Sequence, residues 1–333
     1  MIELIIFTLI LFICGKLCQK KNILLDNLNF SKHKKYISIS NKLPVTGGLF
    51  LLLGLLFFNF YKIDIFQKLV LIGIFFVGFF SDVFRNFSPN LRILLQIFFC
   101  TLYVSFSEVL IQDTRIDIIN EVFINYKIFS IIFTLFCMLV LLNGTNFIDG
   151  LNLSTSGYYL LVCISILYLH NQYQTSLDID FLFNFTKLLL VILIVNFFNK
   201  TQLGDGGAYL IAFVTGFFII EFVDVNKVVS PYFAISLLWY PCLENLFSII
   251  RKLALKKKVS EPDNLHLHHL IFLYLKKKRK RFANNISGFL VVLFNCPIII
   301  LSTYFFYSTK IQISIIMTAI VLYVISYLRL KNI

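Results

Sequence analysis

Long apolar runs alternate with short polar segments along the whole chain. A membrane-spanning helix needs about 20 apolar residues, with roughly 17–25 tolerated, and several of the runs are short by this measure. The pattern predicts an all-α polytopic membrane protein with about ten or eleven transmembrane helices. The predicted spans lie near residues 2–19, 46–60, 68–84, 91–110, 128–144, 156–170, 181–198, 206–223, 230–250, 286–307 and 311–328.

The composition agrees with a membrane protein. Hydrophobic residues make up 59% of the 333 residues and charged residues only 14%, whereas about 25% of residues are charged in soluble proteins. Because apolar runs continue from end to end, we expect one integral membrane domain over residues 1–333. The N-terminus carries Glu3 and no Lys or Arg before the first run, so we expect residues 2–19 to be a retained span, not a cleaved signal peptide.

Basic residues in the loops predict the orientation, since Lys- and Arg-rich loops stay in the cytoplasm. When the loops are numbered alternately, one set holds 23 Lys and Arg residues and the other holds six. This asymmetry predicts a periplasmic N-terminus and a cytoplasmic C-terminus. It also accounts for the net charge of +13 without a nucleic-acid partner, because basic loops face anionic headgroups. The cytoplasmic loops are expected near 20–45, 85–91, 144–155, 199–206 and 251–285.

Five polar segments lie beside span ends on the predicted cytoplasmic side, and the first two involve a glycine pair and a carboxylate. Lys42 precedes Gly47 and Gly48; glycines at a helix start let backbone N–H groups approach an anion. A simple loop-to-helix turn with glycines for packing is the alternative. Asp82 ends an apolar span, where a carboxylate is costly and therefore a functional hypothesis. The alternative is a cap that pairs with Arg85.

The third and fourth segments carry amides and two more carboxylates. Asn143, Asn146, Asp149 and Asn152 recur at three-residue intervals, so on a helix they form one polar stripe suited to a nucleoside, sugar or phosphate. The alternative is a polar loop punctuated by glycine. Asp205 is flanked by glycines that open the backbone so that a carboxylate and a phosphate can share one Mg²⁺. The alternative is that the segment around Asp205 is a simple turn that binds no metal ion.

The fifth segment contains three closely spaced histidines, His266, His268 and His269, and follows Arg251. A zinc site needs four N or S ligands, or three plus water. No cysteine lies nearby, and all seven cysteines of the chain sit singly without a CxxC pair. Phosphate recognition by imidazole and neighbouring cations is therefore favoured over zinc. The basic run at 276–281 is interpreted as facing lipid headgroups or setting topology.

The order and content of these segments resemble the polyprenyl-phosphate N-acetylhexosamine-1-phosphate transferase family, of the glycosyltransferase 4 type. The likeness runs from about Pro44 to His269, most of the chain. Each motif alone is only moderately specific for the family, but the motifs in this order are together strong support for the resemblance. The motifs that carry the resemblance are Asn146–Gly150, Leu203–Gly207 and His266–His269. The run around the histidines is closer to the O-antigen branch of the family than to the peptidoglycan branch.

The resemblance implies an activity and its partners. The enzyme would transfer an N-acetylhexosamine-1-phosphate from a UDP-sugar to undecaprenyl or another polyprenyl phosphate and release UMP. This would be the first membrane step of an O-antigen, capsule or other envelope glycan pathway. It implies a multi-pass protein of the bacterial inner membrane whose active site faces the cytoplasm. Mg²⁺ is the implied cofactor, with Mn²⁺ as the alternative, and a homodimer is left open.

The same resemblance assigns roles to residues of this chain. Asp82, Asp149 and Asp205 are the implied catalytic residues, and Asp205 and Asp82 the implied metal ligands. The family's Asp-Asp pair reads Ser81-Asp82 here, so its first carboxylate is missing. The nucleophile is a phosphate monoester with a second pKa near 6, and its dianion needs no base at neutral pH. The implied substrate-binding residues are Lys42, Asn143, Asn146, Asn152, Arg251, His266, His268 and His269.

Two other classes of function remain open from the sequence. A transporter or flippase of an anionic or lipid-linked solute would place its binding groups near the bilayer midplane, on broken helices within repeats. No convincing internal repeat is present, and the polar segments lie at span ends. An inactive relative that serves as an assembly scaffold is suggested by Ser81, but Asp82, Asp149 and Asp205 argue against it.

Overall fold

The computed structural model describes residues 2–24, 43–59, 62–84, 87–173, 177, 179–258, 265–278 and 282–332. Over these residues the chain forms thirteen α-helices joined by loops. This is the expected solution for apolar segments in lipid, because a helix satisfies its own backbone hydrogen bonds where no water is present.

In chain order the helices are α1 (Ile2–Lys21), α2 (Gly47–Phe58), α3 (Ile65–Val83), α4 (Pro89–Ser107), α5 (Asp117–Asn125), α6 (Lys127–Ile148), α7 (Ser154–Tyr173), α8 (Ile179–Phe197), α9 (Gly204–Val225), α10 (Pro231–Ala254), α11 (Leu267–Lys278), α12 (Ala283–Tyr304) and α13 (Thr309–Lys331). Each of the eleven predicted spans coincides with one of them. The remaining two helices, α5 and α11, are not among the predicted spans.

Eight helices are long and apolar enough to cross a membrane: α3, α4, α6, α8, α9, α10, α12 and α13. Helix α2 has only 12 residues, or roughly 18 Å at 1.5 Å per residue, and is shorter than the hydrocarbon core of about 30 Å. Large apolar side chains face outwards, such as Phe57 at 73% and Ile300 at 60% exposure. The all-α polytopic membrane fold is confirmed.

Helix α9 is the centre of the bundle. It packs against α2, α3 and α6. Of the residues in its most apolar 18-residue stretch, 72% are buried, whereas the share is 17–50% in the other seven long helices. Its N-terminal turn is approached by backbone on two sides. A Cβ atom on Gly48 of α2 would lie 2.5 Å from the Gly207 nitrogen, and one on Gly78 of α3 would overlap the backbone of Asp205.

The start of α4 is fixed by local sequence. The Ser88 side-chain oxygen accepts a hydrogen bond from the Leu91 N–H at 3.1 Å, and Pro89 follows it in the first turn. Ser at the N-cap and Pro at the first helical position both favour a helix start. This start places Arg92 one turn into α4, on the side of α3.

Helices α6 and α10 cross closely at Gly144, where a Cβ atom would overlap the carbonyl oxygen of Pro241. We expect Gly144→Ala to destabilise the protein by about 1–3 kcal/mol, since backbone cannot move aside as a side chain can. The matched control is Gly216→Ala, whose Cβ would meet only the side-chain ends of Met138 and Leu141 at 2.7 and 2.8 Å. Thermal unfolding in detergent measures both, and equal melting temperatures would contradict the packing argument.

Candidate active site

Two predicted carboxylates meet at the N-terminal turn of α9. The Oδ2 atom of Asp82, near the end of α3, accepts a hydrogen bond from the Asp205 backbone N–H at 2.8 Å. Gly204 has a φ of +71°, and a Cβ atom there would lie 2.6 Å from the same oxygen. Glycine is therefore required at this position on both conformational and steric grounds. The positive end of the helix dipole stabilises the Asp82 carboxylate.

Arg92 of α4 lies beside these carboxylates. Its Nη1 atom is 3.6 Å from Asp205 Oδ2 and donates to the Ser81 hydroxyl at 3.4 Å. Its Nε atom is buried without a hydrogen-bond partner among the described residues. The sequence analysis does not select Arg92 as a site residue, although a cation within an apolar helix is a signal of a functional residue.

Two of the four residues of the predicted polar stripe, Asn143 and Asn146, lie in α6, whereas Asp149 and Asn152 follow the end of that helix. Asn143 donates a hydrogen bond to Gln96 of α4 at 3.0 Å. One turn along, Asn146 donates to the hydroxyl of Tyr209 in α9 at 3.0 Å. The stripe therefore ties α6 to the two helices that carry Arg92 and Asp205.

Asp149 and Gly150 follow α6 directly and lie against the histidine motif. A Cβ atom on Gly150 would be 2.7 Å from Nε2 of His269 and 2.9 Å from Nε2 of His268. His268 is fully buried, and this burial lowers its pKa despite the nearby Glu244 carboxylate, which raises it. His268 is therefore uncharged at neutral pH.

The histidine motif is held by α10. Glu244 is fully buried, and its Oε2 atom lies 2.9 Å from His266 Nδ1. Arg251 is 9% exposed, and its Nη1 donates to the Leu265 carbonyl at 2.7 Å. Arg251 therefore holds Leu265, the residue directly before His266, in position. The sequence analysis does not select Glu244, because its contact with His266 depends on the tertiary fold.

Asn152 lies in a cluster of asparagines. Its Nδ2 donates to Oδ1 of Asn199 at 2.6 Å and to Oδ1 of Asn285 at 2.7 Å, and its Oδ1 accepts from Asn196 at 3.4 Å. Its backbone N–H donates to Asn284 at 2.7 Å. The side chain therefore fastens the loop after α6 to the end of α8 and the start of α12.

A small cleft lies between the loop that carries Asp149 and the segment before α9. The residues that line it include Asp149, Gly150, Asn152, Thr155, Gln202 and Leu203. Asp149 is the one predicted carboxylate in this lining, and Leu203 lies two residues before Asp205 in the chain. Lys42, the remaining predicted binding residue, lies outside the described residues.

The site's fit to a metal ion rests on Asp82 and Asp205. Within the described ranges no group of three or more His, Cys, Asp or Glu side chains is arranged to hold a metal ion. Mg²⁺ commonly takes one or two carboxylates and completes its shell with phosphate oxygens and water. The two carboxylates therefore fit Mg²⁺ that is bound together with a phosphate-bearing substrate.

Comparison with known sequences finds a family that this chain resembles. The profile described as Glycosyl transferase family 4 matches residues 68–223, the stretch that contains Asp82, Arg92, Asp149 and Asp205. Over this stretch the chain is similar to glycosyl transferase family 4. The resemblance drawn from the sequence motifs is thereby confirmed.

Several curated proteins are similar to this chain. The undecaprenyl-phosphate alpha-N-acetylglucosaminyl 1-phosphate transferase of Escherichia coli (strain K12) is 24% identical over 287 residues, which cover 81% of this chain and 75% of the relative. The Salmonella typhi protein of the same name is 23% identical over the same length and coverage. The decaprenyl-phosphate N-acetylglucosaminephosphotransferase of Mycobacterium leprae is 24% identical over 161 residues, 42% of this chain and 40% of the relative.

Asn152→Asp is expected to destabilise the protein by about 1–3 kcal/mol. An aspartate has no N–H to donate, so its carboxylate would face the amide oxygens of Asn199 and Asn285. The matched control is Asn90→Asp, which is exposed in the first turn of α4, where a negative charge is tolerated. Thermal unfolding measures both changes. A stable Asn152→Asp protein would refute the structural role of the asparagine cluster.

Proposed function

We propose that the protein transfers an N-acetylhexosamine-1-phosphate from a UDP-sugar to a polyprenyl phosphate and releases UMP. The observation that carries the proposal is the cluster at the start of α9, where Asp82 contacts the Asp205 backbone and Arg92 lies 3.6 Å from the Asp205 carboxylate. The names of the relatives in Escherichia coli and Mycobacterium leprae support the same class of donor and acceptor.

The proposed chemistry is a phosphoryl transfer. An oxygen of the polyprenyl phosphate attacks the β-phosphorus of the UDP-sugar, and the bond from that phosphorus to the bridging oxygen of UMP breaks. Such reactions depend mainly on positioning and on stabilisation of negative charge. The acceptor phosphate is already a dianion at neutral pH, because its second pKa is near 6. No residue therefore has to remove its proton.

Ser81 is compatible with this mechanism. The family's first carboxylate is absent here, and the Ser81 hydroxyl accepts a hydrogen bond from Arg92 at 3.4 Å. The serine keeps a polar contact with the arginine without adding a negative charge. One fewer carboxylate also lowers the repulsion that an incoming phosphate meets.

Asp205 and Asp82 would hold Mg²⁺, and Mn²⁺ suits the same oxygen donors. When bound, the ion would neutralise charge on the diphosphate. Arg92 supplies a fixed positive charge to the same cluster. Around it, we assign Asn146 and Asp149 to orienting the nucleotide or sugar, Lys42 to neutralising phosphate oxygens, and the histidines to binding those oxygens through hydrogen bonds.

The proposed orientation places this site on the cytoplasmic face of the bacterial inner membrane. Asp82 lies at the end of α3, Asp149 just after α6 and Asp205 at the start of α9, and contacts join these helix ends. The basic loops of the 23-to-six asymmetry belong to the same side of the predicted topology. The transporter alternative is not favoured, since its binding groups would lie near the bilayer midplane.

Asp205→Asn and Asp82→Asn are each expected to lower the rate of UMP release at least about 100-fold, because each removes negative charge needed to hold the metal ion. Purified protein, undecaprenyl phosphate, Mg²⁺ and a panel of UDP-sugars provide the assay, with organic-soluble diphosphate product and free UMP as readouts. The matched control is Asp117→Asn, an exposed residue at the start of α5, which should keep full activity. Unchanged turnover in both site variants would refute the assignment.

Removal of divalent ions with EDTA is expected to stop UMP release completely. Added Mg²⁺ should restore it, and added Mn²⁺ should restore it at least in part, because both ions accept oxygen ligands. Turnover that continues in excess EDTA would show that the two carboxylates serve another purpose.

A further inference from the structure

Glu244 is the most completely enclosed acidic residue near the site, with 0% exposure in α10. Burying a carboxylate is costly unless its oxygens accept hydrogen bonds. Both oxygens of Glu244 are engaged by the segment that carries the histidine motif. Oε2 lies 2.9 Å from His266 Nδ1, and Oε1 accepts the Leu267 backbone N–H at 3.1 Å.

The contact between Glu244 and His266 constrains the hydrogen-bonding role of one imidazole nitrogen. An ionised carboxylate can only accept hydrogen bonds, so the contact of 2.9 Å requires Nδ1 of His266 to be the donor. Nε2 is then the other nitrogen of a defined tautomer. A carboxylate behind a histidine commonly sets both the tautomer and the orientation of the ring.

Glu244 also contacts the beginning of α11. The Leu267 N–H is among the first backbone donors of that helix, which have no partner within the helix. A carboxylate at this place satisfies the donor and interacts favourably with the helix dipole. His268 and His269 lie in the same first turn and face Gly150, so their placement depends on where α11 begins.

We propose that Glu244 is a positioning residue for the histidine motif. It holds His266 in the Nδ1–H tautomer and anchors the first turn of α11, so that the three histidines face the loop that carries Asp149. This inference rests on the proposed function for its effect on turnover. The tautomer of His266 does not depend on that function.

The first test is a pair of substitutions at Glu244. Glu244→Gln replaces one acceptor oxygen by an amide donor, so it cannot accept hydrogen bonds from both His266 and Leu267. We expect kcat/KM for the UDP-sugar to fall about 10- to 100-fold. This is the range seen when a residue that orients a metal-ligating histidine is replaced, and the same orienting role is proposed here. Glu244→Asp keeps two acceptors and should recover part of that loss.

The matched control is Glu221→Gln, the same chemical change near the opposite end of α9, roughly 24 Å along the helix from Asp205. We expect unchanged kinetics for this variant. Thermal unfolding shows whether each protein is folded. Equal kinetics of Glu244→Gln and the wild-type protein would overturn the proposal.

A double-mutant cycle separates positioning from general stabilisation. If Glu244 acts through His266, the combined Glu244→Gln and His266→Ala protein should be about as slow as the slower single variant. If Glu244 only supports the fold, the two fold-losses should multiply. Multiplying losses would overturn the positioning role.

The imidazole can also be observed without substrate. The chain has only five histidines, so ¹⁵N-histidine NMR of the protein in detergent is tractable, with His266→Ala assigning its signal. We expect a protonated Nδ1 in the wild-type protein and a changed tautomer in Glu244→Gln. Unchanged signals would overturn the role of Glu244 whatever the turnover. Absence of UMP release by the wild-type protein would instead overturn the proposed function.

Discussion

The hydrogen bond from the Asp205 backbone to the Asp82 carboxylate is the contact on which the rest of the site depends. It joins the end of α3 to the start of α9, and it requires a residue without a side chain at Gly204. Because α9 is the central helix, this contact sets the position of its N-terminal turn relative to α2, α3 and α6. The carboxylate to which we assign a role in the chemistry thereby also holds the architecture, and its replacement is expected to change both.

The candidate site is built in two halves, which Asn146 and Asp149 connect at the end of α6. One half, around Asp205, combines carboxylates with the fixed positive charge of Arg92. The other half, around His266, places imidazoles against the loop after α6, with Glu244 behind them. This division suits a reaction with two anionic substrates, since each half offers positive charge or hydrogen-bond donors to a phosphate. The asparagine cluster at Asn152 keeps the connecting loop in place without contributing charge.

The sequence predicted the spans well because an apolar run is a local signal that lipid makes strong. It missed α5 and α11, which are too short and too polar to register as spans. Spacing alone located the stripe of Asn143 and Asn146 and the carboxylate of Asp205. It could not assign Glu244 or Arg92, since their partners are distant in the sequence and only the packed helices bring them together. Asn152, a predicted binding residue, does lie in the lining of the cleft. Its side-chain hydrogen bonds, however, are made to other asparagines of the protein.

The close backbone contacts around α9 restrict where variation can occur. Gly48, Gly78 and Gly207 lie so near neighbouring backbone that any larger residue would push the helices apart. This part of the bundle therefore tolerates little variation in side-chain size. Gln202 lines the cleft and is only partly buried, so its side chain can change size without disturbing helix spacing. The helix crossings around α9 and the lining of the cleft are thus expected to diverge at different rates within one small membrane domain.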